Sequence, residues 1–559
     1  MTELFGEGYA VNMAHDLALE KLKEIIKRDV FIIKDRAKIV APNGDESSWL
    51  FDFRNILLKP EPLDLIAELF WKQFESKYPF QVGGQESAAI PLVAAIVMKS
   101  KQKDKPVNGF FIRKSRKKDG LQSIVEGELT GEKIILIDDL LNSGRTINRQ
   151  IEVLESMGKN IDTIFVLLGF RDLNKYSFIK ERGINLISAL FLTDFGFPLL
   201  DQKKDEAVPK PSFNIEWHFQ SPNPNYFYVV PKSSPIIDDK KIYFGSDSGY
   251  FWALNQEDGT VAWKYKVGWH AKGKSIFSAP ALHDGLVYFG SYDGNVYALD
   301  TATGKRKWVF MEADWVGSSP CLAPDLGLLF IGLEFGLFKK RGGIAALNLK
   351  TGEKIWEYSM TEYAHSSPAY LASRGVAAIG GNDATAYLFR AKDGKLLWNY
   401  KAGGEIKASF AFDESRNLLL FGSFDGNLYA LNLDTGRPVF TFQTLAGIYS
   451  TPLACEGRVY VSSLDKKLYC LDLERKGELV WSFDTGARIF SSPVLIEGHI
   501  FAGANDGRLY EIDANSGKLL GFFQALERIT SPLAYNAITK RFFLPTYANE
   551  VYCFTRTRA

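Results

Sequence analysis

Two hydrophobic periods divide this chain. As far as about residue 205, segments with apolar residues three and four apart alternate with short continuous apolar runs. Residues 12–28 follow the helical period. Residues 62–74 follow it more strongly, with Leu63, Ile66, Leu69, Phe70 and Phe74 on one face. A third helix, rich in Ala, Ile and Val, is expected up to Met98. A fourth carries Ile147, Ile151, Leu154 and Met157 on one face, with Gly158 just past its end. Between them, residues 29–40, 80–82, 107–112, 134–137 and 163–168 read as strands. Strand–helix alternation of this kind predicts a parallel sheet with helices on both faces. Beyond residue 205 nearly everything reads as short strands separated by Gly, Asp and Ser.

That second part is a repeat. Gly-x-x-x-Trp recurs at Gly259 and Trp263, Gly304 and Trp308, Gly352 and Trp356, and Gly394 and Trp398. The same slot then holds Gly436 and Phe440, Gly477 and Trp481, and Gly517 and Gly521, so the spacing is 40–48 residues. Asp293-Gly294, Asp425-Gly426 and Asp506-Gly507 read as hairpin turns. A Ser-Pro-like pair opens most units, from Ser234-Pro235 to Ser531-Pro532, with Ser409-Phe410 as the variant, and eight openings are present. Four short strands in a unit of this length predict a β-propeller blade. The last unit ends without a Trp strand, and residues 213–219 (Phe-Asn-Ile-Glu-Trp-His-Phe) look like that strand without the rest of its blade. The expectation is that 213–219 completes the eighth blade and leaves no open edge. The third blade carries an insertion at 334–341. The fold class expected is an α/β parallel-sheet domain, 1–199, followed by an all-β eight-bladed propeller, 213–559. The charged, Pro-containing stretch 200–212 between them reads as a linker.

The chemistry concentrates in residues 131–150. An apolar strand runs into two carboxylates, Asp138 and Asp139. A polar loop follows, Asn142-Ser143-Gly144-Arg145-Thr146, and then a helix. Loop N–H groups and a helix N-terminus favour an anion such as phosphate. The acids would repel it; they can accept hydrogen bonds from sugar hydroxyls, or bind a metal that also touches phosphate. The stretch predicts a phosphosugar, and it is not a Walker A loop, since no Gly-Lys-Ser/Thr follows.

This stretch resembles the phosphoribosyl-pyrophosphate (PRPP) motif of type I phosphoribosyltransferases. Residues 25–180 resemble orotate phosphoribosyltransferase more widely. Phe51-Asp52-Phe53-Arg54 matches an aromatic-Asp-x-Arg segment. Gly84-Gln85-Glu86-Ser87-Ala88-Ala89-Ile90-Pro91 matches a pyrophosphate loop. Residues 113–120, Arg-Lys-Ser-Arg-Lys-Lys-Asp-Gly, match a mobile basic loop, with Asp119 in place of the histidine. Arg171 follows the next strand, where the family reads the base. The resemblance implies that Asp138 and Asp139 hold the ribose and that Asn142, Ser143, Gly144, Arg145 and Thr146 hold the 5′-phosphate. Glu86 and Ser87 belong to the pyrophosphate loop, Arg113, Lys114 and Lys117 meet the pyrophosphate, and Arg171 orients a pyrimidine-like base. Mg²⁺ is expected with PRPP, as a hard cation bridging phosphate oxygens. No protein metal site is expected. The basic loop contains Gly120 and is expected to close as a lid.

Composition adds exclusions. Lys and Arg number 67 against 66 Asp and Glu, so no nucleic-acid surface is implied. No apolar stretch suits a membrane span, and the start of the chain lacks a signal-peptide pattern. The four cysteines, Cys321, Cys455, Cys470 and Cys553, are widely spaced and suggest neither metal nor disulfides. A cytoplasmic protein is expected. The second part resembles the pyrroloquinoline-quinone-type repeats of quinoprotein propellers, with the tryptophans read as packing residues rather than a cofactor site. The propeller is expected to bind a protein partner or self-associate. The function expected is phosphoribosyl transfer to a base; the alternative is a non-catalytic PRPP or nucleotide sensor, or a stress or antiviral effector.

Overall fold

The computed structural model describes residues 17–33, 39–40, 46–47, 49–113, 124–142, 144–197, 199, 213–221, 233–268, 275–337 and 340–557. The chain divides into two compact units, Met1–Val208 and Pro209–Ala559. The expected linker, 200–212, lies outside the described residues.

The first unit begins with α1 (Leu17–Ile25), β1 (Phe31–Ile33), β2 (Ile39–Val40), β3 (Glu46–Ser47) and β4 (Trp49–Phe51). It continues through α2 (Pro60–Phe74), β5 (Phe80–Gln85), α3 (Ala89–Gln102), β6 (Gly109–Ile112), β7 (Val125–Glu126) and β8 (Lys133–Leu141). It ends with α4 (Arg145–Ser156), β9 (Ile161–Gly169), α5 (Ser177–Lys180) and β10 (Asn185–Phe191). Six strands form one sheet in the order β10-β9-β8-β5-β6-β7. The pairs are parallel except for β6 with β7. β8 has a neighbour on each side and is buried on both faces, which is why its sequence is a continuous apolar run rather than an alternating one.

Side-chain alternation along β8 sorts its two faces. Ile135 and Ile137 join a core that includes Phe70, Trp71 and Phe74 of α2, Leu92 and Ile96 of α3, and Phe51 and Phe53. Phe70 packs on Phe74, Phe80 and Phe165 with ring centroids 4.7, 5.8 and 5.7 Å away. Trp71 Nε1 donates to the Ile96 carbonyl at 3.0 Å, so the largest core side chain has its polar atom paired. Ile134, Leu136 and Asp138 point to the opposite face, which α4 covers with Ile147, Ile151 and Leu154.

The structure extends β8 beyond the apolar run. Pairing with β9 continues through Asp138↔Val166, Leu140↔Leu168 and Leu141↔Gly169, because a backbone ladder is indifferent to the charge of the side chains it carries. The helix expected over 12–28 is described over Leu17–Ile25 and widens into a π turn at Ile26–Val30.

The second unit is an eight-bladed propeller. Its eight antiparallel four-stranded sheets span 236–266, 281–310, 321–360, 369–401, 411–443, 453–484 and 494–524, and lastly 534–556 together with 213–220. In that last sheet Phe213–Gln220 pairs with Glu550–Arg556, so the two ends of the unit share one blade. The Gly-x-x-x-Trp repeat joins successive blades. Gly304 lies under Trp263, Gly352 under Trp308, Gly394 under Trp356, Gly436 under Trp398 and Gly517 under Trp481; a Cβ at any of them would sit 2.5–2.7 Å from the ring of the preceding blade. These glycines also take positive φ, 67–75°, which side chains rarely adopt. Each of these indoles donates to a backbone carbonyl of the next blade, as Trp308 Nε1 does to Leu349 at 3.0 Å. Ring burial plus a paired N–H makes the repeat a set of identical joints. Trp217 and Gly259 form the same joint between the last blade and the first. In the third blade, Leu328–Phe335 and Arg341–Asn348 form a longer hairpin than their counterparts and reach into the expected 334–341 insertion from both sides.

Candidate functional site

The two acids stand at the C-terminal end of β8, where ligands bind in open parallel sheets. Alternation sends them to opposite faces. Asp138 is 8% exposed and faces α4, with Gln150 beside it. Asp139 faces the Phe51–Arg54 segment, within electrostatic reach of Asp52 and Arg54. The Asp139 N–H donates to Asp138 Oδ1 at 3.0 Å. Burial, reinforced by the neighbouring Asp139 charge, pushes the Asp138 carboxyl well above the usual carboxylate range. Burial also raises Asp139. The two carboxyls also lie within hydrogen-bond reach of each other, and a pair of adjacent acceptors is suited to a ligand that brings hydroxyl protons. Asp52 is bound to Arg54 by a two-pronged pair, Oδ1–Nε and Oδ2–Nη2 both at 2.8 Å.

The loop after β8 is anchored from the far side of the sheet edge. The Asn142 carbonyl accepts from Tyr176 Oη at 2.7 Å and from Arg171 Nε at 3.1 Å. Gly144 then caps α4 with φ +76°. A Cβ there would meet Phe178 at 2.9 Å and Tyr176 at 3.2 Å, so the turn needs glycine on two counts. The twelve-residue α4 presents its first N–H groups at this point, a ready anion site. Asn142 and Thr146 are exposed. Ser143 and the Arg145 side chain lie outside the described residues.

Beside this loop, β5 ends in Gly83-Gly84-Gln85. Gly84 presses against β8: a Cβ would lie 2.3 Å from the Ile137 carbonyl oxygen. The chain therefore turns close to the acids, and Glu86 N donates to the Ile112 carbonyl at 2.9 Å. Ser87 is exposed, and the Glu86–Ser87 peptide is cis. Arg113 N donates to the Ile124 carbonyl at 2.8 Å, fixing the point where the basic loop leaves the sheet, and its guanidinium lies 3.5 Å from Glu126. Lys114, Lys117 and Asp119 lie outside the described residues.

Arg171, at the end of β9, has its Nε on Asn142, and its buried Nη1 has no hydrogen-bond partner among the described residues. The structure thus brings together Asp138, Asp139, Asn142, Gly144 and Arg171, with Glu86, Ser87 and Arg113 at the ends of the neighbouring strands. Sequence reading missed Tyr176, which holds the loop after β8 through the Asn142 carbonyl, and Arg149, whose Nη1 lies 3.3 Å from Gln85 Oε1 and 3.5 Å from the Arg113 carbonyl. Arg149 follows Arg145 by one helical turn, which was the available signal. A cavity of about 940 Å³ opens along β10 and α5, lined by Gln73, Lys77, Asp172, Ile179, Phe191 and others. Tyr176 links it to the loop after β8, but the acid pair is not in its walls.

Among the described residues no cluster of three or more His, Cys, Asp or Glu is placed to hold a metal. No helix among them is long and apolar enough to cross a membrane.

Comparison with known proteins separates along the same division. An orotate phosphoribosyltransferase from a Bradyrhizobium species is 29% identical over 161 residues, 28% of this chain and 85% of its own length. That from Pyrococcus abyssi is 28% identical over 159 residues, 28% of this chain and 84% of its own. Both matches fall in the N-terminal part of the chain. In the propeller, the solved structure of BamB from Moraxella catarrhalis matches with a TM-score of 0.51 and 17% identity, over 61% of this chain and 99% of that one. A quinohemoprotein alcohol dehydrogenase from Comamonas testosteroni also gives 0.51, at 14% identity, over 62% of this chain and 77% of its own. At such identities the likeness is one of fold. A family model described as outer membrane protein assembly factor BamB matches residues 215–382, 340–446 and 382–522, together more than half of the chain. The chain belongs to that propeller family, and joined to its propeller is an N-terminal unit homologous to orotate phosphoribosyltransferase.

Proposed function

We propose that the N-terminal unit binds PRPP and transfers its 5-phosphoribosyl group to a pyrimidine-like base, releasing pyrophosphate, and that the propeller is an interaction scaffold. The observation that carries this reading is the acid pair at the end of β8 followed by the Gly144 turn into α4. Hydroxyl acceptors and a helix N-terminus suited to an anion stand one short loop apart, an order that suits a sugar and its 5′-phosphate. Asp138 and Asp139 accept from the ribose hydroxyls. Asn142, Ser143, Gly144, Arg145 and Thr146 surround the 5′-phosphate. Glu86 and Ser87 border the pyrophosphate, and Arg113, Lys114 and Lys117 neutralise it. Arg171 offers its unpaired Nη1 to the base.

In the reaction the C1′–oxygen bond to pyrophosphate breaks and a bond from C1′ to a base nitrogen forms. Charge collects on the leaving group, where preorganised cations are worth on the order of 3–4 kcal/mol per good donor. Mg²⁺, which keeps most of its waters and takes phosphate oxygens, would ride on PRPP itself.

A sensor that binds PRPP without turnover is the second reading. Asp119, two residues after Lys117 in the basic loop, favours it, since an acid there weakens the pull on pyrophosphate. Incubation with PRPP, Mg²⁺ and orotate, uracil or other bases decides between the two. Pyrophosphate release with one base, lost in Asp139→Asn, supports transfer. PRPP binding with no release from any base supports the sensor.

A further inference from the structure

Gln150 is fully buried, and among the described residues neither its Oε1 nor its Nε2 has a hydrogen-bond partner. A primary amide has two donors and two acceptor positions, and burying it unpaired is unfavourable; a leucine or methionine would fill the same space without that penalty. Gln150 shares the inward face of α4 with Ile147, Ile151 and Leu154, so an apolar residue is what helix packing alone would place there. Asp138 lies on the α4-facing side of β8, and the Gln150 amide is within reach of its carboxyl. The amide is close enough to favour the charged form of that carboxyl without completing a hydrogen bond.

Asp138 needs such a donor. Its Oδ1 is held by the Asp139 N–H. The anion accepts from ribose hydroxyls more strongly than the neutral acid does, and it has to be held in rotation inside a site whose burial disfavours charge. A carboxylate has about four acceptor positions, so a donor from α4 and one from the ligand do not compete.

We propose that Gln150 is a positioning residue that donates its amide proton to Asp138 when the site is loaded, locking the carboxylate against the sugar hydroxyls. This rests on the PRPP reading above. The unpaired amide of the ligand-free protein is then a donor held ready for the bound state. It explains a polar residue on an apolar helix face.

The test uses the full chain and three variants. Gln150→Met and Gln150→Leu keep the volume and remove the donor; Gln150→Asn keeps a shorter donor. Melting temperature and PRPP affinity with Mg²⁺ are measured for each. The expected result is a melting temperature equal to or above wild type in Met and Leu, PRPP affinity about tenfold or more weaker, partial recovery in Asn, and an unchanged KM for the base. A merely structural glutamine would lower stability and affinity together, and that outcome overturns the proposal. So does unaltered PRPP affinity in both Met and Leu. Wild-type protein that binds no PRPP overturns the site reading itself and this role with it, whereas wild-type binding with unaltered variants overturns only the role of Gln150.

Discussion

The indole Nε1 of Trp217 donates to the carbonyl of Gln256 at 3.0 Å. Trp217 belongs to the strand that precedes the propeller's first blade in sequence and completes its last blade in space, so this contact helps hold the ring closed. Its ring also covers Gly259, where a Cβ would lie 2.5 Å away. Trp217→Ala is expected to destabilise the propeller by about 3–5 kcal/mol, the usual loss for a large aromatic removed from a packed site. Trp263→Ala, at the equivalent joint within the ring, should cost a similar amount. Denaturant unfolding followed by tryptophan fluorescence checks both. A Trp217→Ala propeller as stable as wild type would mean that the joint carries no closure energy.

Acid burial gives the first unit a definite pH dependence. Asp138 and Asp139 have folded-state pKa values raised above the unfolded ones, by burial first. The neutral form is therefore favoured by folding. The stability this contributes is fully present below the unfolded carboxylate pKa, about 3.9, and is lost as pH rises through the folded values. The ligand-free unit therefore draws less stability from this pair at pH 7–8 than near pH 4. Asp138→Asn should raise its melting temperature at pH 7–8, by roughly 2–4 °C for each 1 kcal/mol relieved, with the gain shrinking toward pH 4. Calorimetry across pH 4–8 measures this. A variant less stable than wild type at pH 8 would contradict it.

Tyr176 is predicted to act on PRPP affinity without touching the ligand. Tyr176→Phe removes the hydroxyl that holds the Asn142 carbonyl and keeps the packing against Gly144. One such bond is worth about 0.5–1.5 kcal/mol, so PRPP should bind roughly 2–10-fold more weakly, with a near-native circular dichroism spectrum. Titration calorimetry reads the change.

Arg171→Lys separates the base site from the phosphate site. Lysine keeps the charge but cannot place one nitrogen on Asn142 and another on a base. The KM for the base should rise about tenfold or more, and the PRPP dissociation constant by less. Equal changes in both would assign Arg171 to the phosphate loop alone.

What was legible in the sequence follows from how local each signal is. The acid pair, the Asn142–Thr146 loop and the helix after it lie within one short stretch, so their spacing carries their geometry. The propeller was legible because one joint is repeated, and the last-blade strand stood out as a Trp strand without a blade. The partner of each repeat glycine was not legible: Gly352 shares its motif with Trp356 but packs on Trp308 of the blade before. Tyr176 and Arg149 were missed for the same reason, since they act on residues 34 and 64 positions away. Gln150 lies inside the motif stretch, yet its burial and its unpaired amide are properties of packing that no period reveals.

The central claim is that the acid pair and the loop after it hold PRPP. Calorimetric titration of the full chain with PRPP and Mg²⁺, beside Asp139→Asn, tests it most directly. The account predicts saturable binding by wild type, weakened at least tenfold in Asp139→Asn, with ribose 5-phosphate competing through the loop. Wild-type protein that takes up no PRPP, or an Asp139→Asn variant that binds it equally well, would contradict the account.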